Sequence, residues 1–429
     1  MRKVLLGTTA FVAASVVASG ASAQSLEDRI RTLEESMLMG SPGSGFDVGV
    51  SGYMHGGFFL VDIDDNPATT AEEDYGSTDV KIGATEIHFT ATGQLDNGIE
   101  VGGRVELEGT TQTDQIDETY IWAEGGFGRM VIGAENGPSY LMHYSAPWIA
   151  GVNGVDSPNY RYTTHGGAAR TNTQTLIASD ANKITYFTPR FSGFQFGIAY
   201  TPSATGDNRG GEQNGWGSAY DRSGGTGVEN IVAVAGNFSR DFGGVSVGAS
   251  AGWESGSSNV TYDNGTDNPQ SVSDDPTNWH IGGEVSRGGF TVGGAYYSAT
   301  GFTGGDGTGD ATSTVGEGQT NEREVDLTSD TEQTAWAVGA HYATGPWGVG
   351  IAYLQAESDV PTYTLADDAT APVQGMSRSR ANSVIEIGAS YEAGPGVTVA
   401  ADIGFYEDDV SDTESQEAVG AGLVLGISF

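Results

Sequence analysis

Phe194-Gln195-Phe196-Gly197-Ile198-Ala199-Tyr200 alternates strictly, with apolar or aromatic residues at every even position and small or polar ones at every odd position. A period of two is that of an extended strand whose faces meet different surroundings. The same pattern runs through Val245, Val247, Ala249, Ala251 and Trp253, interleaved with Ser246, Gly248, Ser250 and Gly252, and again from Val397 to Phe405 with Asp402 on the second face. The second face is thus Gly, Ser and isolated charge, which suits a wet interior. The apolar face then belongs against lipid, where a spanning strand needs about 9 to 11 residues.

Working outward, short turn signals recur at Asp96-Asn97-Gly98, Gly125-Gly126-Phe127-Gly128, Pro189 to Gly193, Arg240 to Gly244, Arg287-Gly288-Gly289, Gly345 to Gly348 and Gly394-Pro395-Gly396. Each is flanked by alternating segments, as tight hairpins are. Between them lie long polar tracts, roughly 62–79, 137–180, 203–227, 256–276, 301–330 and 358–377. Short turns alternating with long loops define sixteen strands at 46–61, 80–93, 99–110, 116–125, 129–136, 181–189, 194–202, 228–239, 245–255, 277–287, 290–300, 331–344, 348–357, 379–392, 397–409 and 416–429. The expected fold is all-β: a 16-stranded antiparallel transmembrane β-barrel over 46–429, wide enough for an aqueous channel. Trp122, Tyr200, Trp253 and Phe405 fall near strand ends, where interfacial aromatic girdles sit.

The rest of the chain agrees. Of 429 residues, 67 are glycine and none is cysteine, which excludes disulfide scaffolds, thiolate metal sites and cysteine nucleophiles. A net charge of -38, from 56 acidic against 18 basic residues, repels phosphate backbones, so no nucleic-acid partner is expected. Residues 1–23 carry Arg2 and Lys3, a short apolar run from Val4 to Val17, and Ala21-Ser22-Ala23, the form of a cleaved secretory signal peptide. Residues 24–45 read as a separate periplasmic device. Leu26, Ile30, Leu33 and Met37 make one stripe of a short N-terminal amphipathic helix, followed by the linker Gly40 to Gly45. Two heptads are marginal alone, so the segment is either a three-stranded coiled coil beneath a trimer or a loosely ordered tail.

A catalytic reading finds little to stand on. Gly244-Val245-Ser246-Val247-Gly248 and Gly248-Ala249-Ser250-Ala251-Gly252 match the G-x-S-x-G pattern but lie within one alternating strand, not on a strand-to-helix elbow. Histidines 55, 88, 143, 165, 280 and 341 lack metal-ligand spacing, so no metal and no cofactor is assigned. The acidic tracts Asp62-Ile63-Asp64-Asp65 and Glu72-Glu73-Asp74 offer hard oxygen ligands for Ca2+, with solvated loop charge as the alternative.

The chain ends on Leu423-Val424-Leu425-Gly426-Ile427-Ser428-Phe429, an alternating strand that must pair with the first strand to remove both edges. Its terminal Phe429 resembles the assembly signal of outer-membrane β-barrels. Together with the leader, the sixteen strands and Gly128 to Asn136 before a long third loop, the chain from Phe46 to Phe429 resembles the Gram-negative general-diffusion porins, alphaproteobacterial type. The resemblance implies an inward-folded third loop, here 137–180 with Asp156, Arg161 and Arg170, whose charges face the opposite wall. Where many such proteins carry a wall arginine this chain reads Gly133-Ala134-Glu135, a departure from the usual arginine ladder.

Parity locates the other lumen charges. Ile87 and Phe89 face lipid, leaving Glu86 and His88 inside; Val101, Val105 and Leu107 leave Arg104 and Glu106 inside. Lys183 opposes Ile184 and Tyr186, and Arg378 and Arg380 oppose Ile385 and Ile387. The resulting expectation is not an enzyme but a homotrimeric pore of the outer membrane, in contact with lipid and lipopolysaccharide. It would pass small hydrophilic solutes and ions passively, with a weak preference for cations. The alternatives are a solute-specific channel, with Tyr53, Trp148 or Tyr160 as a stacking track for sugars, and a structural or Ca2+-binding barrel.

Overall fold

The computed structural model describes residues 45–64, 75–109, 116–149, 155, 172–175, 177–204, 228–258, 261–262, 270–271, 275–301, 332–362, 376–411 and 414–429. The leader, the Leu26, Ile30, Leu33 and Met37 stripe, Asp156, Tyr160, Arg161, His165, Arg170 and the Glu72 to Asp74 tract lie outside the described residues.

Sixteen strands close into one antiparallel barrel. In chain order they are β1 (Phe46–Asp64), β2 (Tyr75–Gln94), β3 (Glu100–Glu108), β4 (Ile116–Gly125), β5 (Gly128–Ala134), β6 (Asn182–Phe187), β7 (Phe194–Ser203) and β8 (Val228–Asp241), followed by β9 (Ser246–Ser258), β10 (Thr277–Arg287), β11 (Phe290–Thr300), β12 (Glu332–Thr344), β13 (Trp347–Thr362), β14 (Met376–Gly394), β15 (Val397–Ser411) and β16 (Glu414–Ser428). Each strand pairs with its neighbour in sequence, and β16 returns to β1 from Tyr53↔Ser428 to Asp64↔Glu417. Phe429 completes the seam: Gly52 N donates to its carbonyl at 2.9 Å and its own N donates to the Gly52 carbonyl at 3.0 Å. A two-residue pair, Thr261–Tyr262 with Gln270–Ser271, stands apart from the barrel.

Alternation sets the two faces. Phe194, Phe196, Ile198 and Tyr200 are exposed on the outside of β7, whereas Ala199 and Thr201 are buried within. On β9 Trp253 points out and Glu254 in; on β15 Ile403 and Phe405 point out and Asp402 in. One irregularity resets the phase of β2: partners pass from Met54↔Thr85 to Gly56↔Ile82, so β2 carries an extra residue there. Such a bulge swaps the faces on either side of it. Val80 and Ile82 therefore face out together with Ile87 and Phe89. Trp122, expected in the outer girdle, belongs to the inner face instead. It follows the parity of buried Tyr120, 6.0 Å away between ring centres, and lies under the Arg129 guanidinium at 5.2 Å.

Strands also run further toward the long loops than the apolar alternation alone indicates, as at Tyr75 in β2 and Met376 in β14. Ladder hydrogen bonding continues past the apolar band because Ser, Thr and Asp pair as well through their backbones as Val does.

Candidate functional site

The segment after β5 turns inward and lies along the inner wall. It opens on Glu135 and enters the one-turn helix α1 (Pro138–Leu141), with Pro138 in its first turn where a missing N–H costs nothing. From there the loop crosses the wall strand by strand, and at most crossings the wall offers a glycine. A Cβ built on Gly197 of β7 would stand 2.6 Å from Pro138 Cβ, and one on Gly252 of β9 would stand 2.8 Å from Ser139 Cβ. The same holds for Gly248 against the Tyr144 ring at 2.6 Å, for Gly282 of β10 against the Tyr144 carbonyl, and for Gly293 of β11 against the Ser145 carbonyl at 2.5 Å. Gly339 of β12 meets Pro147 Cδ at 3.2 Å and Gly350 of β13 meets Ile149 Cγ2 at 2.5 Å. Any larger residue at these positions would lift the loop into the lumen.

Polar clamps fix the start and the return of the loop. Glu254, fully buried on β9, accepts from Ser139 Oγ at 2.7 Å and from the Ile177 amide at 2.9 Å, so one carboxylate holds both limbs. Glu118 on β4 accepts from the Asn136 side chain at 2.8 Å. Lys183 on β6 donates to the carbonyl of Glu135 and to that of Ser179 at 2.8 Å. The tip is held by apolar contact instead. Ala146, Ile149 and Val155 pack on Tyr297, Ala335, Ala337, Ala352 and Leu354. Burying an Ile side chain contributes about 1.5–3 kcal/mol, and Ile149 is 0% exposed.

Across the lumen the wall is charged. Arg104 on β3 donates through Nη2 to His88 Nδ1 at 2.8 Å and pairs with Glu106 at 2.5 Å. An arginine can only donate, so His88 Nδ1 is the acceptor and the ring proton sits on Nε2, which donates to Glu86 Oε2 at 2.8 Å. The Tyr53 hydroxyl also donates to Glu86. Donor atoms of Glu86, His88 and Glu106 all lie within 4.8 Å of one another, a spacing a metal ion could use. Arg104 already supplies a positive charge there and occupies Nδ1, so the residues form a closed hydrogen-bond network and not an open coordination sphere.

Of the residues singled out by parity, Glu86, His88, Arg104 and Glu106 thus lie in mutual contact on β2 and β3. Glu135 and Lys183 meet at the root of the inward loop, where Lys183 is 5% exposed and serves as an anchor. Arg378 and Arg380 fall on β14, opposite Val360 and Ser358. Ser246 and Ser250, the centres of the two G-x-S-x-G matches, bond to Asp241 and to the Tyr144 amide, respectively.

Several features were not found from sequence. Glu118 shares the inward parity of Tyr120 and could have been read that way; Glu254 and the fully buried Glu386 likewise follow from their strand phases. The glycine track carries no such signal, because inward glycines suit open water equally well. The broad apolar groove of about 640 Å3 lined by Phe290, Tyr342, Ile351, Ile387 and Ile403 lies on the outer face, away from this wall.

Comparison with known proteins places these features in a family. The model of the Gram-negative porin family matches residues 7–422. An uncharacterized protein of Rickettsia conorii is 26% identical over 151 residues, 29% of this chain and 34% of the relative, so the match spans about a third of that relative's length. Among solved structures, an anion-selective porin from Comamonas acidovorans has a TM-score of 0.54 at 15% identity, covering 90% of this chain and 100% of its own. The outer membrane channel DcaP of Acinetobacter baumannii scores 0.52 at 14% identity, with 90% and 98% covered. The trimer form of an outer membrane protein of Vibrio cholerae scores 0.50 at 13% identity, with 90% and 100% covered. At such identities these structures establish the shared barrel alone.

Proposed function

The chain belongs to the Gram-negative porin family, and on that premise we propose that its barrel is a water-filled pore for passive diffusion of small hydrophilic solutes and ions, with a weak preference for cations. Family and fold support an outer-membrane channel rather than an enzyme. The observation that carries the finer reading is the inner surface. Leaving aside Glu118, Glu135, Glu254 and Lys183, which clamp the loop, its acids, among them Glu86, Glu106, Glu284 and Asp402, outnumber inward bases such as Arg104 and Arg129 among the described residues. A lumen lined by one sign of charge concentrates the opposite ion. Purified protein in planar bilayers is expected to give large ohmic steps, with a reversal potential of cationic sign under a salt gradient. An anionic sign would reject the preference, and absence of steps would reject the pore.

A homotrimer is the proposed assembly, supported by an asymmetry of the outer face. Outward Tyr200, Trp253, Trp279, Tyr296, Trp336 and Tyr353 form a girdle across β7–β13, with paired rings at Trp279–Tyr296 (5.4 Å) and Trp336–Tyr353 (5.0 Å). Among the described residues the outward faces of β16 and β1–β5 carry chiefly aliphatic side chains, Met, Phe and Gly, with acids such as Asp62 and Glu417 at the strand ends, but no Trp or Tyr. Rings with a polar tip mark where an apolar surface meets lipid headgroups. The bare sector is therefore the one turned to neighbouring copies, and the girdled sector the one turned to lipid and lipopolysaccharide. Since the chain has no cysteine, single substitutions test this directly: Ile121→Cys should cross-link between copies with a short reagent and Ile281→Cys should not. The reverse pattern would overturn the assignment.

Cleavage after Ala23 and a three-stranded bundle over 25–39 complete the proposal. N-terminal sequencing of the outer-membrane protein checks the first. Deleting 25–39 without loss of trimer stability would dismiss the second.

A further inference from the structure

Resting on the pore reading above, we infer that loop residue Trp148 is a binding site for solutes that present a flat ring face, pyranose sugars above all. Its neighbours face the wall: Pro147 is seated on Gly339 and buried Ile149 on Gly350. Trp148 between them is 50% exposed, and Leu141, also turned from the wall, is 45% exposed. The inward loop therefore shows the lumen an apolar edge, although the clamps at its root are polar.

What stands opposite follows from the barrel. In a closed ring of sixteen strands the facing wall is eight strands away, so β12 and β13 look across at β4 and β5, next to β3. Gly350 lies three residues from the turn end of β13 at Trp347, and Arg104 lies four from that of β3 at Glu100. Loop tip and charged cluster thus stand at similar height above the short turns. A solute passing between them meets an indole face on one side and, on the other, Arg104, the most exposed side chain of the charged cluster. A pyranose matches both: its axial C–H face stacks on an aromatic ring while its equatorial hydroxyls donate and accept at the edge. An open-chain polyol of the same size offers hydroxyls but no face. Exposed indole surface in water is unfavourable by itself, and a stacking partner removes that cost.

The test is single-channel recording of the purified protein with glucose or sorbitol added at equal concentration. Glucose is expected to produce reversible interruptions of the open current beyond those of sorbitol. Trp148→Ala should shorten them roughly tenfold, the ratio set by losing one aromatic contact, and Trp148→Phe should retain part of the effect. Conductance steps of each variant in the same recordings show that barrel and pore are assembled. Equal behaviour of glucose and sorbitol in the native protein, or excess interruptions that survive Trp148→Ala, would overturn the site while leaving the porin intact. A protein that gives no steps overturns the pore and the site together.

Discussion

At the scale of single residues, Glu254 shows how one buried group can hold a long segment. It faces no cationic side chain within hydrogen-bond reach among the described residues; a hydroxyl and an amide from two separate limbs of the loop satisfy it. A buried donor left without its acceptor costs about 1–3 kcal/mol, so Glu254→Ala should lower the melting temperature and make the open current noisier. Glu254→Gln keeps one acceptor oxygen and should fall between. Quiet currents and unchanged melting in Glu254→Ala would show that the loop is held elsewhere. Much of this scale was legible in the sequence as parity: Ile87 and Phe89 out require Glu86 and His88 in. Which inward residues touch was not, because it depends on register between strands, and register is a property of pairs that one strand does not state. Lys183 illustrates the gap, since the same parity describes a free lumen charge and an anchor for two carbonyls.

Among elements, the strands were readable from the residues themselves, and the inward loop only through the family resemblance. Turn signals and alternation give all sixteen strands because lipid outside and water inside impose period two on each of them. The bulge in β2 escaped because an extra residue shifts phase without leaving a composition mark. The Gly and Ser of the second face, as on β9, were read as suiting a wet interior, and nothing in them said which part of the wall the inward loop would cover; the structure lays it against β9–β13. Gly and Ala are what a wall needs when another chain segment must lie flat on it, and also what a wide pore tolerates. A substitution separates the two meanings. Gly350→Val would push Ile149 off the wall, with overpacking worth about 1–3 kcal/mol, and single-channel conductance should drop as the loop moves inward. If conductance is unchanged, the loop tip does not set the bore.

For the whole molecule, the net charge of -38 acts through the field it creates at the pore mouths and along the wall. Screening shortens that field to about 10 Å at 0.1 M salt and 3 Å at 1 M. Cation preference, read as reversal potential, should therefore weaken as both baths are raised from 0.1 to 1 M at a fixed concentration ratio. Selectivity indifferent to salt would point to a local binding site in place of a diffuse field. The seam between β1 and β16 has a consequence of another kind. It joins the first strand of the barrel to the last, from Tyr53↔Ser428 to Asp64↔Glu417, with Phe429 and Gly52 exchanging a further pair of hydrogen bonds. The ring therefore shuts only after every strand between them has found its place, and a copy lacking β16 would carry two unpaired margins, each able to adhere to another chain.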